Sequence, residues 1–268
     1  MELFDTRDKS NRVFQYLSDS VRWLTPCDKF AEHKRYVGWI SNYCDNHGFT
    51  YLHGACISGR ADSVRHLLSE GVDVNLDTYT CSPLHLAVQY RRKKIVEILL
   101  KRGANPNQLD YERSTPLHAL ARPYLCDCVS ASNYCDFIRP ANDIVKMLIK
   151  KGANVEARNR HGDTPLQTSV SRFDLEVTKA LLEHGASLDS LNKDRMFRMD
   201  FSSIELKCYA LTFNIIEMVK LLKSKGYEMD FLDRLSVVKC WIRARENDID
   251  HLIAEDTGMS LNFFSRVT

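Results

Sequence analysis

One short pattern governs what this chain can fold into: a hydroxyl residue, proline, leucine and histidine, returning at near-constant spacing. Ser82-Pro83-Leu84-His85-Leu86-Ala87 recurs as Thr115-Pro116-Leu117-His118-Ala119-Leu120, as Thr164-Pro165-Leu166-Gln167, and more loosely as Thr50-Tyr51-Leu52-His53-Gly54-Ala55. A second pattern follows each, clearest in Ile95-Val96-Glu97-Ile98-Leu99-Leu100-Lys101-Arg102-Gly103-Ala104-Asn105 and again over Ile144–Asn154. His53 to Ser63, His85 to Ile95 and Gln167 to Val177 are each ten positions. Gly71 to Gly103 is 32, Gly152 to Gly185 is 33, and Gly103 to Gly152 is 49, so one unit carries about sixteen extra residues. A chain built from one repeating unit stacks neighbours to bury a continuous core.

Each residue of the pattern has a mechanical task. The Thr or Ser hydroxyl caps a helix by accepting from an orphaned backbone N–H. Proline at the first helical position loses nothing, because its missing N–H would be unpaired there anyway. The second segment sets Ile/Val and Leu-Leu on one helical stripe. Glycine then closes that helix in the left-handed conformation.

This order of residues resembles the ankyrin-repeat family, with the match specific over 45–189. The resemblance implies an all-α solenoid of helix–turn–helix units with short β-hairpin fingers. Four clear repeats fall at about 46–77, 78–110, 111–158 and 159–190, with the insertion at about 122–141. A degenerate fifth repeat with a long finger occupies 191–226, since Met218-Val219-Lys220-Leu221-Leu222 leads to Gly226. The spacing from Lys239 to Ile249 is again ten, so 227–268 reads as a worn sixth repeat or a C-terminal cap. Residues 1–45 read as an N-terminal helical cap or partial repeat, using Val13, Phe14, Leu17 and Val21, then Val37, Ile40 and Tyr43.

Composition narrows the function. The charge is close to balanced, +2 from 37 basic and 35 acidic residues, which offers no general attraction to nucleic acid or an anionic membrane. No apolar run approaches the roughly 18–20 residues needed to span a bilayer. The acidic start Met1-Glu2-Leu3-Phe4-Asp5 lacks the order of a signal peptide. Nine scattered cysteines read as free thiols in a reducing compartment. The expected location is therefore the cytoplasm, with the nucleus as an alternative.

Catalytic and metal motifs are weak. Cys126, Cys128 and Cys135 lie in the insertion, but three thiols with a single-residue gap fall short of the four-ligand zinc pattern. There is no phosphate-cradling glycine loop, no His-Glu-x-x-His and no Gly-x-Ser-x-Gly. No metal and no cofactor are expected, and an enzyme using a cysteine nucleophile is kept only as the contrasting class. The Arg91-Arg92-Lys93-Lys94 quartet puts positive charge where a helix N-terminus disfavours it. It reads as a solvated turn or, alternatively, as a patch for an acidic partner or for nuclear import.

The resemblance implies that His53, His85 and His118 are structural. It also implies a protein-binding scaffold or adaptor whose contacts lie on the fingers and the concave face. The candidate contact residues are Thr78, Tyr79, Tyr111, Glu112, Arg113, Asn159, Arg160 and His161. Tyr124, Tyr134 and Phe137 join them from the apolar, aromatic insertion. Asn75, with Leu67 eight residues upstream and Val74 before it, fits the family's pattern for asparaginyl hydroxylation. The partner is expected to be another protein, with no nucleic acid and no membrane, and the chain itself a monomer. An inhibitor of a signalling factor needs only the repeats; a substrate receptor of a ubiquitin ligase needs a further docking element toward the C-terminus.

Overall fold

The computed structural model describes residues 48–122, 141–197 and 211–248. Helices stack in two layers. The first layer holds α1 (Tyr51–Ser58), α3 (Pro83–Gln89), α5 (Pro116–Ala119) and α7 (Pro165–Ser171). The second holds α2 (Ala61–Ser69), α4 (Lys93–Lys101), α6 (Ala141–Lys150) and α8 (Leu175–Glu183), then α9 (Leu211–Ser224). Neighbouring helices within each layer pack on one another, α1 packs on α2, α3 on α4 and α7 on α8 across the layers, and α10 (Phe231–Asp248) closes the stack against α9. The core runs along the whole stack as one cluster, from Leu52 and Val64 through Leu99, Leu148 and Leu181 to Leu222 and Trp241.

The local chemistry explains the repetition. Thr50, Ser82 and Thr164 each place a side-chain oxygen on the backbone N–H three residues on, and Thr115 occupies the same position. Every second helix ends alike. The residue after the closing glycine donates its N–H five residues back: Val72 to Leu67, Ala104 to Leu99, Ala153 to Leu148, Ala186 to Leu181 and Tyr227 to Leu222. The glycines between are left-handed, with Gly103 at φ 88° and Gly226 at φ 89°. Gly226 thus ends α9 in the same way as the second helices before it.

The last helix differs from the spacing-based expectation. It starts six residues earlier than Lys239 implies, because Asp230 caps it: Asp233 N–H donates to Asp230 at 2.8 Å and Asp230 N–H returns to Asp233 at 3.2 Å. The helix then runs unbroken to Asp248, through the place where a repeat would turn. The N-terminal segments expected over 1–45 lie outside the described residues.

The left-handed position between paired helices carries the main surprise. Gly59 holds it in the first repeat, but Arg91 (φ 50°) and Phe173 (φ 53°) hold it in the second and fourth. For such residues this conformation costs about 1–2 kcal/mol. Phe173 offsets the cost by complete burial and by stacking on Phe197 at 5.5 Å. Arg91 offsets it with charge. Its side chain is only 7% exposed, donates to Glu176 at 2.8 Å and to Asp174 at 2.5 Å, and so reaches past the third repeat into the fourth. Arg92 donates to the Ile57 carbonyl at 3.0 Å, and Lys93 pairs with Asp143 at 2.5 Å. Arg91 and Arg92 are therefore spent inside the fold, while Lys93 and Lys94 stay exposed, Lys93 in a surface pair.

That assignment predicts an inversion of the usual glycine rule. R91G relieves the backbone but strands Asp174 and Glu176, so urea titration is expected to show a loss of about 2–4 kcal/mol. A variant as stable as the parent contradicts the ion-pair account.

Candidate finger interface

The fingers are positioned by the helix caps. The Thr115 N–H donates to His118 Nδ1 at 3.1 Å, so that nitrogen is an acceptor and the proton sits on Nε2. Nε2 then donates to the Asp163 carbonyl of the next finger at 2.9 Å. His85 repeats the arrangement, taking the Ser82 N–H at 3.3 Å and giving Nε2 to the Ser114 carbonyl at 3.0 Å. His53 takes the Thr50 N–H in the same way. In the fourth repeat Gln167 substitutes, its Oε1 accepting from Asn192 N–H at 2.7 Å. The histidines are structural, as the resemblance implied.

The third and fourth fingers are each folded by one side chain. Asp110 Oδ1 accepts from the Glu112 and Ser114 N–H groups, and Asp110 N–H crosses to the Ser114 carbonyl at 3.0 Å. Asn159 does the same for His161, Asp163 and the crossing bond. Arg122 fixes Asp110 at 2.6 Å and Glu112 at 3.3 Å, while Arg195 fixes Asp163 at 3.0 Å. Main-chain bonds then stitch adjacent tips together. Tyr111 N–H donates to the Thr80 carbonyl at 3.0 Å and Arg160 N–H to the Glu112 carbonyl at 2.8 Å. Arg160 also reaches the Tyr111 carbonyl at 2.7 Å, and Arg195 reaches that of His161 at 2.5 Å. The tips form one continuous edge rather than independent loops.

A second ladder, not anticipated from the residue pattern, runs just past the C-terminal ends of the second helices. Asn75 accepts from Asn105 N–H at 2.8 Å and donates to the Gly103 carbonyl at 3.2 Å. Asn107 does the same to Asn154 and Gly152, both at 2.7 Å. Glu156 continues it by accepting from Ser187 N–H at 2.8 Å. The signal was present in the recurring Gly-Ala-Asn-x-Asn, where the last residue of one copy meets the third of the next. Both side-chain ends of Asn75 are engaged here, so a modifying enzyme acting on it first has to break two hydrogen bonds.

The candidate contact residues divide by placement. Tyr111, Arg113, Arg160 and His161 are exposed on the edge, with Tyr111 57% accessible. Glu112 and Asn159 are half-buried and mainly shape their fingers. Thr78 is exposed, its hydroxyl donating to the Gly48 carbonyl at 2.8 Å. Tyr79 turns inward, ring edge to Phe49 at 5.3 Å and beside His53 at 5.4 Å. Tyr124, Tyr134 and Phe137 lie outside the described residues, as do Cys126, Cys128 and Cys135.

Electrostatics shape the site. Desolvation, with the Glu112 carboxylate beside it, pushes the Tyr111 phenol up to about 12, so it stays a hydroxyl. Burial pushes the Cys81 thiol up to about 12 and raises Cys56 as well, the opposite of an activated nucleophile. Among the described residues no group of three or more His, Cys, Asp or Glu is placed to hold a metal ion. No helix among them is long and apolar enough to cross a membrane.

Desolvation also lowers His85 and His118 from 6.5 to about 4. Between those values the unfolded chain binds protons that the folded chain refuses, so stability is complete above about pH 6.5 and is lost as pH falls toward 4. Each histidine contributes at most about 1.4 kcal/mol per pH unit in that window. Replacing both by glutamine, as Gln167 occurs naturally, is expected to flatten this limb in denaturant titrations from pH 7 to 4. An unchanged slope in the double variant contradicts the assignment.

Comparison with known proteins agrees with this geometry. Residues 13–110 and 138–233 match the family model of ankyrin repeats in three copies, and 112–160 match a single ankyrin repeat. The palmitoyltransferase AKR1 of Lachancea kluyveri is 30% identical over 54% of this chain and 23% of its own length. The B-cell lymphoma 3 protein homolog of Mus musculus is 31% identical over 55% of this chain and 29% of its own. The ankyrin repeat protein OPG189 of Variola virus is 28% identical over 70% of this chain and 30% of its own. The matched span is less than a third of each of these relatives. With the repeating caps, the shared helix endings and the family match over most of its length, this chain belongs to the ankyrin-repeat family.

Proposed function

We propose that the chain is a protein-binding adaptor or inhibitor whose docking edge is the row of finger tips from Thr78 to His161. One observation carries this reading. Main-chain and buried side-chain bonds hold the tips in register, while the residues they display differ from finger to finger and leave Tyr111, Arg113, Arg160 and His161 exposed. A rigid frame with variable exposed side chains lowers the ordering cost of binding. The raised thiols of Cys56 and Cys81 support a role without catalysis, and their unpaired state suits the cytoplasm or nucleus.

A ligase substrate receptor is the second reading, favoured by one observation. The closing helices present Phe213, Phe231, Leu232, Leu235 and Ile242 to solvent, Phe231 at 76%. Exposed apolar side chains concentrated in two adjoining helices suit a second partner.

Photo-crosslinking amino acids at positions 111 and 160, with controls at the exposed outer-layer positions 97 and 179, test both readings in cells. One protein captured from 111 and 160 but not from the controls is the expected result. Identical products from all four sites, or none from the tips, contradict the edge. Capture of a ligase subunit from a probe at 232 selects the receptor reading.

A further inference from the structure

Four residues other than glycine stand in the left-handed region among the described residues: Arg91, Arg113, Phe173 and Phe197. Three have a visible return. Arg91 is ion-paired to Asp174 and Glu176, and the two phenylalanines are buried against each other. Arg113 has none. It sits at φ 58° on the tip of the third finger, at the position held by Gly48 and Gly162 in the first and fourth. Its side chain is exposed, and among the described residues nothing receives its guanidinium. Only its backbone N–H is used, donating to the Asp110 carbonyl at 2.9 Å. A long charged side chain kept where glycine fits better, with no use inside the fold, points to a use outside it.

The surroundings say what kind of use. Arg158 and Arg160 are exposed on the neighbouring finger, their side chains donating to the carbonyls of Gly162 and Tyr111 rather than to carboxylates. The local carboxylates are already taken: Asp110 and Glu112 by Arg122, Asp163 by Arg195. The edge is thus basic at its surface, although the whole chain is nearly neutral at +2. Leu109 and Tyr111, 51% and 57% exposed, add apolar area beside the charges.

We propose that the third and fourth finger tips, centred on Arg113, bind an acidic, extended segment of a partner protein. Its carboxylates meet Arg113, Arg158 and Arg160, where the planar guanidinium fork suits bidentate recognition. An apolar side chain of the segment rests on Leu109 and Tyr111. A protein segment is favoured over nucleic acid by the apolar neighbours and by the low overall charge, which supplies little sequence-independent attraction to a polyanion. The inference rests on the finger edge being the docking surface and names what docks there.

The test pans the full chain against a random twelve-residue peptide library displayed on phage. Enriched peptides are then measured by fluorescence anisotropy on the parent, R113G, R113E and Y111A. The expected peptides are net acidic, lose about tenfold in affinity on R113G and more on R113E, and weaken with salt. The melting temperature of R113G is expected at or above that of the parent, which separates lost recognition from lost folding. Neutral or basic peptides, or acidic peptides indifferent to both Arg113 variants, overturn the proposal; sensitivity to Y111A then leaves the docking edge standing. Indifference to Y111A as well overturns both readings. A labelled oligothymidylate bound more tightly than the peptides, with the same Arg113 dependence, overturns it in favour of nucleic acid.

Discussion

Everything on the finger edge depends on a buried histidine that ties one repeat to the next. Its Nδ1 accepts the N–H of its own helix cap, and its Nε2 donates to the carbonyl of the following finger, as in His85 to Ser114 and His118 to Asp163. A stack of short helices has no long sheet or large globular core to fix its register. It needs a polar bond of defined direction at each interface, and a neutral imidazole provides one acceptor and one donor on opposite sides of a rigid ring. The low basicity of these rings follows from their burial, because a charged imidazolium there has lost its water.

The polar ladder of Asn107 and Glu156 does the same work where the chain leaves each second helix, so the interfaces from the second to the third and from the third to the fourth repeat are each clamped twice. Between the clamps the second helices pack through Val96, Leu99, Val145, Leu148, Val177 and Leu181. With both clamps at the finger end, the tips have little freedom left, and side chains such as Tyr111 and Arg113 are presented instead of folded away. This is how an arrangement concerned only with stacking yields a surface for recognition. The third repeat shows how far the arrangement bends. Its first helix is only four residues long, and Arg91 and Glu176 tie the second repeat to the fourth around it, with Glu176 also accepting the Ala141 N–H at 2.7 Å.

What could be read from the residues alone was the part governed by local chemistry. Thr-Pro-Leu-His announces the capped start of each first helix, Gly-Ala-Asn announces the end of each second helix, and the glycine spacing announces the number of units. The ion pair of Arg91 could not be read that way. Its partners lie 83 and 85 positions away, and four consecutive basic residues look solvated until the fold brings carboxylates to them. The stitching of finger to finger was equally hidden, because it runs through backbone atoms that every residue possesses. The division between Tyr111, which is displayed, and Tyr79, which packs on Phe49, likewise depends on neighbours in the preceding finger.

The edge proposed for docking is preformed by these bonds before any partner arrives. Residue-resolved hydrogen exchange of the free chain tests this at the Tyr111 and Arg160 amides, which donate to Thr80 and Glu112. If the edge is preformed, both amides exchange at least a thousandfold more slowly than the exposed turn amides, on the order of 4 kcal/mol of protection. Exchange at the rate of an unstructured loop at either amide would contradict it.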